Sequence, residues 1–571
     1  MKLQNFLLAF IIVFYSACQN KDSADLILIG GKVITVDSVF SIAEAVALKG
    51  NKILDVGQTQ DIINLKKADT KIIRLNGKTV IPGLIEGHAH FIGLGESKMK
   101  LDLMKSKNWN DILKTVAEAV QNANPGDWII GRGWHQEKWD TMPNEIAEGY
   151  PVHDALSAIS PENPVMLTHA SGHAILVNLK AMDLADITGK TPDPQGGRIV
   201  RKADGAPSGI LLENAEDLID KAFEASQKNR TKKQIEDEQL KAISLATQEC
   251  LQNGITSFHD AGEPFWIIDI FKNLAAEGKL GLRLWVMIGE KNSDLRGNLK
   301  DYPMIGYGND FLTIRSIKRY MDGALGARGA WLLEPYSDMP ETSGLNTIDL
   351  DEFRETAEIA IANGLQLCTH AIGDKANRET LNIYEEVFKE HPEKTDLRWR
   401  IEHAQHLSSE DIPRFAELGV IASIQGIHCT SDGPWVPKRL GDKRAEEGAY
   451  VWRKLLESGA VISNGTDAPV EDVDPFANFY ALVTRRMNNG EQFYPDQVMT
   501  REEALKSYTI SAAYSGFEEN IKGSIEPGKL ADLTILSDDI LTIPEEQIPE
   551  INVVYTMVDG KISYSNPDYS E

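Results

Sequence analysis

His88-Ala89-His90 closes the run Thr79-Val80-Ile81-Pro82-Gly83-Leu84-Ile85-Glu86-Gly87. Side chains alternate across a strand, so residues two apart point the same way. Two imidazoles on one face, just past an apolar run, make half of a transition-metal site. Later apolar runs end on polar residues in a repeating order. These are His259-Asp260, Lys318, His370, His403 and, in Ser463-Asn464-Gly465-Thr466-Asp467, the carboxylate Asp467. A lone histidine in such a place is commonly a hydrogen-bonded structural residue. Four of them with an aspartate, at the same ends of successive strands, call for one shared centre.

The elements that must bring these positions together alternate between strand and helix, the pattern of a parallel α/β fold. Strands are expected at Val80 to Ile85, Ile255 to Phe258, Leu282 to Ile288, Leu312 to Tyr320, Leu365 to Thr369, Trp399 to Glu402, Val420 to Ile424 and Val461 to Ser463. Helical patterns such as Ile235 to Asn253, Phe353 to Ala362 and Asn377 to Phe388 separate them. Eight such units predict a (β/α)8 TIM-type barrel over 81–517, with its active site at the C-terminal ends of the strands. An open doubly wound sheet competes with it, but no Gly-x-Gly-x-x-Gly follows an early strand. Connections in these folds are normally a few residues long, so residues 95–235 are expected to form an inserted subdomain over the barrel mouth. Short strands and turns at 25–80 and 518–571 are too few at either end to be stable alone. They predict one small β-sandwich domain built from both chain ends.

Composition narrows the partners. The chain has 571 residues, with 59 Lys and Arg against 85 Asp and Glu, a formal charge of −26. Nucleic-acid binding needs a basic face, and no Lys/Arg run is present. Residues 1–18 combine Lys2, an apolar stretch from Phe6 to Phe14, and Ser16-Ala17 before Cys18. The stretch is too short to span a bilayer permanently and has the pattern of a signal-peptide core. It resembles a bacterial lipoprotein signal, with Cys18 as the acylated residue and 19–24 as a tether. An ordinary secretory signal with an incidental cysteine is the alternative. Lipid anchoring would place the protein outside the cytoplasm, facing the periplasm or cell exterior. Cys250, Cys368 and Cys429 are too far apart for a disulfide framework or thiolate knuckle and are expected to be buried.

The motifs Ile81-Pro82-Gly83-Leu84-Ile85-Glu86-Gly87-His88-Ala89-His90, Ile317-Lys318-Arg319-Tyr320-Met321-Asp322-Gly323-Ala324, Thr369-His370-Ala371-Ile372-Gly373-Asp374, Ile401-Glu402-His403 and Gly465-Thr466-Asp467-Ala468-Pro469 belong together. So does Gly523-Ser524-Ile525-Glu526-Pro527-Gly528-Lys529-Leu530-Ala531-Asp532-Leu533. With them the chain, from about residue 25 to its end, resembles the metal-dependent amidohydrolase superfamily and within it the amidohydrolase family 3 group. The resemblance implies His88 and His90 on one metal, His370 and His403 on a second, and Asp467 as both ligand and proton shuttle. Lys318 sits where the family often has an N-carboxylated lysine bridging two ions. An ammonium has donors only, so the alternative is a salt-bridged lysine beside a single metal. One or two divalent ions are implied, zinc foremost, with Mn, Fe or Co also suited to such ligands.

The implied reaction is hydrolysis of a non-peptide carbon–nitrogen bond in a small amide, cyclic amide or N-formyl compound. A lactone, ester or phosphoester hydrolase could use the same site, since fold and site do not fix the leaving group. A non-catalytic, lipid-anchored binding protein is a third reading, against which the intact ligand set speaks. His173, in Ser171-Gly172-His173, is the first choice of substrate residue. Trp134, His259 and Arg328 are further choices, and His169 and Arg198 are other pocket candidates in the insertion. Glu402, Asp374 and Asp322 are candidates for orienting imidazoles. The expected partner is a small-molecule substrate, and a homodimer is compatible with the sequence.

Overall fold

The computed structural model describes residues 23–228 and 230–569. The signal-like segment and Cys18 lie outside the described residues. Eight mutually parallel strands run in sequence order around the molecule. They are β1 (Leu84–Ala89), β2 (Ile255–Glu263), β3 (Arg283–Ile288), β4 (Leu312–Tyr320), β5 (Gln366–Ala371), β6 (Arg400–His403), β7 (Ile421–Ile424) and β8 (Ile462–Asn464). Nearly all of their residues are buried, as a parallel sheet under helices requires. Helices return the chain between them. The helix Lys232–Gln252 starts at a capping box formed by Thr231 and Gln234, and Leu350–Ala362 starts at the side chain of Asp349.

Hydrogen-bonded ladders link every neighbouring pair from β1 through to β8. The remaining seam, between β1 and β8, is closed by polar groups. The Asp467 amide donates to the His88 carbonyl at 2.8 Å. The buried Glu86 carboxyl accepts from the Thr466 amide at 2.6 Å and from its hydroxyl at 3.1 Å. Gly465 is needed here because a Cβ would lie 2.4 Å from the His88 nitrogen. Two metal-type residues therefore flank the one join in the ring that is not a strand ladder.

Between β1 and β2 stands a separate six-stranded sheet, in the order Gly197–Arg201, Pro207–Glu213, Ala174–Val177, Val165–His169, Ile129–Trp134, Leu101–Asp102. It is apolar on both faces. Ala174 and Leu176 pack in one cluster with Trp109 and Trp134, and Ile175 and Val177 in another with Ile219. Helices Trp109–Asn122 and Asp217–Ser226 supply the covers.

The two chain ends meet in one sheet, where Leu533–Leu536 runs antiparallel to Thr79–Pro82. This sheet differs from the expected sandwich. The strand Leu26–Ile34 carries a register shift after Ile29, pairing with Lys71–Arg74 before it and with Thr79–Pro82 after it. That shared strand joins what would have been two sheets into a single ladder of eight strands. A buried ion pair ties the sheet to the barrel, with Arg283 Nε 2.6 Å and Nη2 3.0 Å from the two oxygens of Asp532. Cys250, Cys368 and Cys429 are buried thiols. Among the described residues, no helix is long and apolar enough to cross a membrane.

Candidate metal centre and its cavity

His88 and His90 project from the end of β1, and Asp467 follows β8. Across the seam their ligand atoms come within 4.8 Å of one another. Asp467 Oδ1 lies 3.3 Å from His90 Nε2 and 3.6 Å from His88 Nε2. His403 completes the same wall, its ring centroid 4.9 Å from that of His88, with His370 4.4 Å beyond it. Lys318 Nζ reaches to 3.5 Å from His88 Nε2. His90, Lys318, His370, His403 and Asp467 all line one cavity of about 110 Å³.

His88 and His403 are each held by a buried partner. The His88 Nδ1–H donates to Glu402 at 2.5 Å, which fixes Nε2 as the nitrogen facing the centre. Glu402 is in turn clamped by Arg400, through Nε at 2.7 Å and Nη2 at 2.9 Å. His403 Nδ1 pairs with Gln425 Oε1 at 2.7 Å. His403 and Asp467 both hold left-handed backbone conformations, φ 77° and 59°. Non-glycine residues pay for that geometry, and such strain concentrates where a side chain must be aimed.

The electrostatics favour cation binding. Burial, followed by the nearby Lys318 charge, lowers His88 to about 4. Burial likewise holds His370 and His403 well below the usual imidazole range. All three are therefore neutral at neutral pH, the form that ligates metal. Burial opposes ionisation of Asp467, yet the surrounding imidazoles keep it well below the usual carboxylate range. His370 Nε2 and Asp467 Oδ1 are buried without a hydrogen-bond partner. Buried polar atoms are rarely left so, and a divalent cation fits this set of imidazole nitrogens and a carboxylate. Burial also lowers the Lys318 ammonium. The nearby charges of Glu402 and Asp467 act the other way on it.

The other expected residues divide. His173 lines the cavity, with its ring 5.8 Å from His370. Burial works against its charge, but Glu213, 2.8 Å from Nδ1, lifts it to about 9. His169 also lines the cavity. Trp134 does not. A register shift beside Gly133 (φ 103°) breaks the strand alternation, so Trp134 turns into the insertion core, where its Nε1 donates to Leu167 O at 2.8 Å. His135 faces the cavity in its place. His259 is also misplaced by the sequence reading. Strand β2 continues to Glu263, which leaves His259 well inside the barrel against Trp285, with Arg400 Nη1 3.0 Å from its Nδ1. Arg328 and Arg198 line a different cavity, where Arg328 pairs with Asp338 at 2.9 Å and Arg198 pairs with Glu148.

Of the three candidate orienting carboxylates, Glu402 holds an imidazole. Asp322 accepts from the amides of Ile372, Gly373 and Trp331, and its Oδ1 lies 3.5 Å from His370 Nε2. Asp374 accepts from backbone amides of Leu333 and Lys375 and orients no imidazole. His135, Lys138, His428, Trp435 and Glu471 line the cavity without having been singled out. His428 follows the end of β7 by four residues, so the strand-end rule that found its neighbours reaches it too.

The amidohydrolase family model matches residues 71–564. Similar chains include Protein LONG AFTER FAR-RED 3 of Arabidopsis thaliana, 33% identical over 95% of this chain and 92% of its own length. The putative amidohydrolase YtcJ of Bacillus subtilis is 32% identical over 94% and 98%. The N-substituted formamide deformylase of Arthrobacter pascens is 27% identical over 95% and 98%. Among solved structures, an uncharacterized metal-dependent hydrolase from Pyrococcus horikoshii superposes with a TM-score of 0.71 at 26% identity, covering 91% of this chain and 99% of that one. A match across most of the length, together with histidines and an aspartate gathered at the barrel mouth, places this chain in the amidohydrolase family, as a hydrolase of carbon–nitrogen bonds.

Proposed function

We propose that the chain hydrolyses the carbon–nitrogen bond of a small amide, cyclic amide or N-formyl compound, using a divalent cation, zinc foremost, held by His88, His90 and Asp467. The observation that carries this is the cluster of three ligand atoms within 4.8 Å, opening on a cavity shared with Lys318, His370 and His403. The similarity to the N-substituted formamide deformylase of Arthrobacter pascens supports the bond type. When bound, the cation supplies Lewis acidity, polarising a carbonyl and lowering the pKa of water towards neutrality.

The residues do the rest. Asp467, ionised at neutral pH, has one oxygen towards His90 and the other 4.0 Å from His403. It can hold position with the first and carry a proton from the attacking water to the leaving nitrogen with the second. His173, kept positive by Glu213, sets a charge on the wall beside His370, where negative charge develops on the substrate oxygen. His370 and His403 form the second half of the ligand set. Lys318, desolvated by burial, has the surroundings in which a lysine gives up its proton, and we assign it as the carboxylated lysine. The N-terminal sequence further supports export and acylation at Cys18.

Elemental analysis with an activity panel tests the reading. At least one equivalent of transition metal, loss of activity on chelation, and turnover of N-substituted formamides or cyclic amides are expected. A panel in which only lactones or phosphoesters react would overturn the bond assignment. For location, Cys18→Ser should leave the membrane fraction or accumulate unprocessed, and wild-type protein found in the cytoplasm with Met1 intact would contradict export.

A further inference from the structure

Part of the cavity lining has no role in the chemistry above. His169 ends a strand of the insertion, His135 follows the neighbouring strand, and Trp435 and His428 come from the segment after β7. The His135 ring stands between His169, 4.4 Å away, and Trp435, 6.4 Å away. All four side chains are at least nine-tenths buried. Each carries a buried nitrogen without a hydrogen-bond partner: His135 Nδ1, His169 Nε2, Trp435 Nε1 and His428 Nε2. Buried polar atoms are rarely left unpaired. Four on one cavity wall mark a surface built for a partner.

The bonds behind these rings say what kind of partner. The Ser171 amide donates to His169 Nδ1 at 3.1 Å, so the proton of the neutral ring sits on Nε2. Gln405 Nε2 donates to His428 Nδ1 at 2.9 Å, which leaves His428 Nε2 as an N–H as well. Trp435 Nε1 is a donor only. Three of the four free atoms are thus N–H donors. The ionic groups nearby are already engaged, with Lys138 2.8 Å from Glu471 and Asp432 accepting from the Tyr450 hydroxyl at 2.7 Å. Burial holds His135 and His169 below the usual imidazole range, and the Lys138 ammonium beside them is paired with Glu471.

We infer that His169, Trp435 and His428 form a specificity subsite for an uncharged oxygen acceptor, such as an ether, carbonyl or hydroxyl, carried on the substrate beyond the bond that is cut. This rests on the C–N hydrolase reading for the reaction, but the subsite itself is a binding property. It selects amides with a polar, neutral tail over alkyl tails of equal size, and over carboxylate tails, which would meet Asp432 and Glu471.

The test is equilibrium binding by calorimetry on metal-loaded Asp467→Asn protein, which removes turnover. The probes are N-(3-methoxypropyl)formamide, N-pentylformamide and N-(3-carboxypropyl)formamide. The methoxy compound is expected to bind about tenfold more tightly than the pentyl one, as a few neutral hydrogen bonds allow, with the carboxylate weakest. Adding His169→Phe or Trp435→Phe should bring the methoxy and pentyl affinities within about twofold of each other. Equal affinities without those substitutions, no binding of any probe, a preference for the carboxylate, or a preference that survives both substitutions would overturn the subsite. A methoxy preference without hydrolysis of any amide by the unsubstituted enzyme would overturn the reaction reading and leave the subsite standing.

Discussion

Glu402→Gln alters a single atom type at the point where the barrel interior meets the candidate metal centre. Glu402 is fully buried, and its two oxygens accept one bond from His88 and two from Arg400. Against the cost of burial, Arg400 first and His88 after it hold this carboxyl well below the usual carboxylate range. A glutamine can satisfy Arg400 with its oxygen, but its amide N–H₂ then faces His88 Nδ1. The imidazole can meet that group only by moving its proton to Nε2, which takes the lone pair away from the side facing Asp467. Loss of such an orienting partner weakens metal binding by about 10- to 100-fold. Arg400 meanwhile keeps its charge without a counter-charge, and breaking one half of a buried pair costs about 3–5 kcal/mol. Chelator competition reads the first effect, and urea unfolding of metal-free protein reads the second. Arg400→Met with Glu402→Leu should recover most of the stability, since replacing both members of a buried pair is often neutral, while metal affinity stays low. Glu402→Gln protein with unchanged metal affinity and an unchanged unfolding midpoint would refute the reasoning.

Asp467→Asn should keep most of its metal and lose about 10² to 10⁴ in kcat, measured with metal content on the same preparation. Near-wild-type kcat with full metal would end its role as proton carrier. Gly465→Ala places a Cβ 2.2 Å from Glu86 Oε1 and 2.4 Å from the His88 nitrogen. It should cost about 1–3 kcal/mol by overpacking, seen as a lower midpoint of chemical unfolding together with weaker metal retention. The His173–Glu213 pair should show in a pH series. Because His173 is raised from 6.5 to about 9, its contribution is fully present below pH 6.5 and is lost as pH rises through about 9. The stability gap between wild type and His173→Gln should therefore narrow over that window, and a gap that widens would reverse the assignment.

The strand-end rule found the centre because a parallel barrel converts positions far apart in sequence into neighbours. It worked for His88, His90, His370, His403 and Asp467, whose strands end where the apolar runs end. It misplaced His259, because β2 runs on through Asp260 and Glu263, residues whose polarity disguises a strand. Trp134, expected at the pocket from its place in the insertion, is turned into the core by the bulge at Gly133, which swaps the two faces. Glu402 was legible as a candidate, but its pairing with His88 was not, since that contact depends on the inward angle of two strands 314 residues apart. On the far wall, His169 is legible as a pocket candidate and His428 lies within reach of the strand-end rule, while His135 and Trp435 are hidden for a simpler reason. A histidine or tryptophan in a loop is usually packing, and only the missing partner nitrogen sets these apart.

The seam between β1 and β8 bears on how the molecule comes to be made. Glu86 and Thr466 join across 380 residues, so the ring stays open until the last barrel strand has been synthesised. Contacts of such long sequence separation form late. The metal-binding cluster, straddling that join, is then among the final features to assemble, and a nascent chain has no complete centre with which to capture an ion prematurely. A cation that binds the closed ring better than the open chain stabilises it, by an amount that grows with the logarithm of its concentration over its dissociation constant. The ion acts as a clasp fastened after the fold has formed.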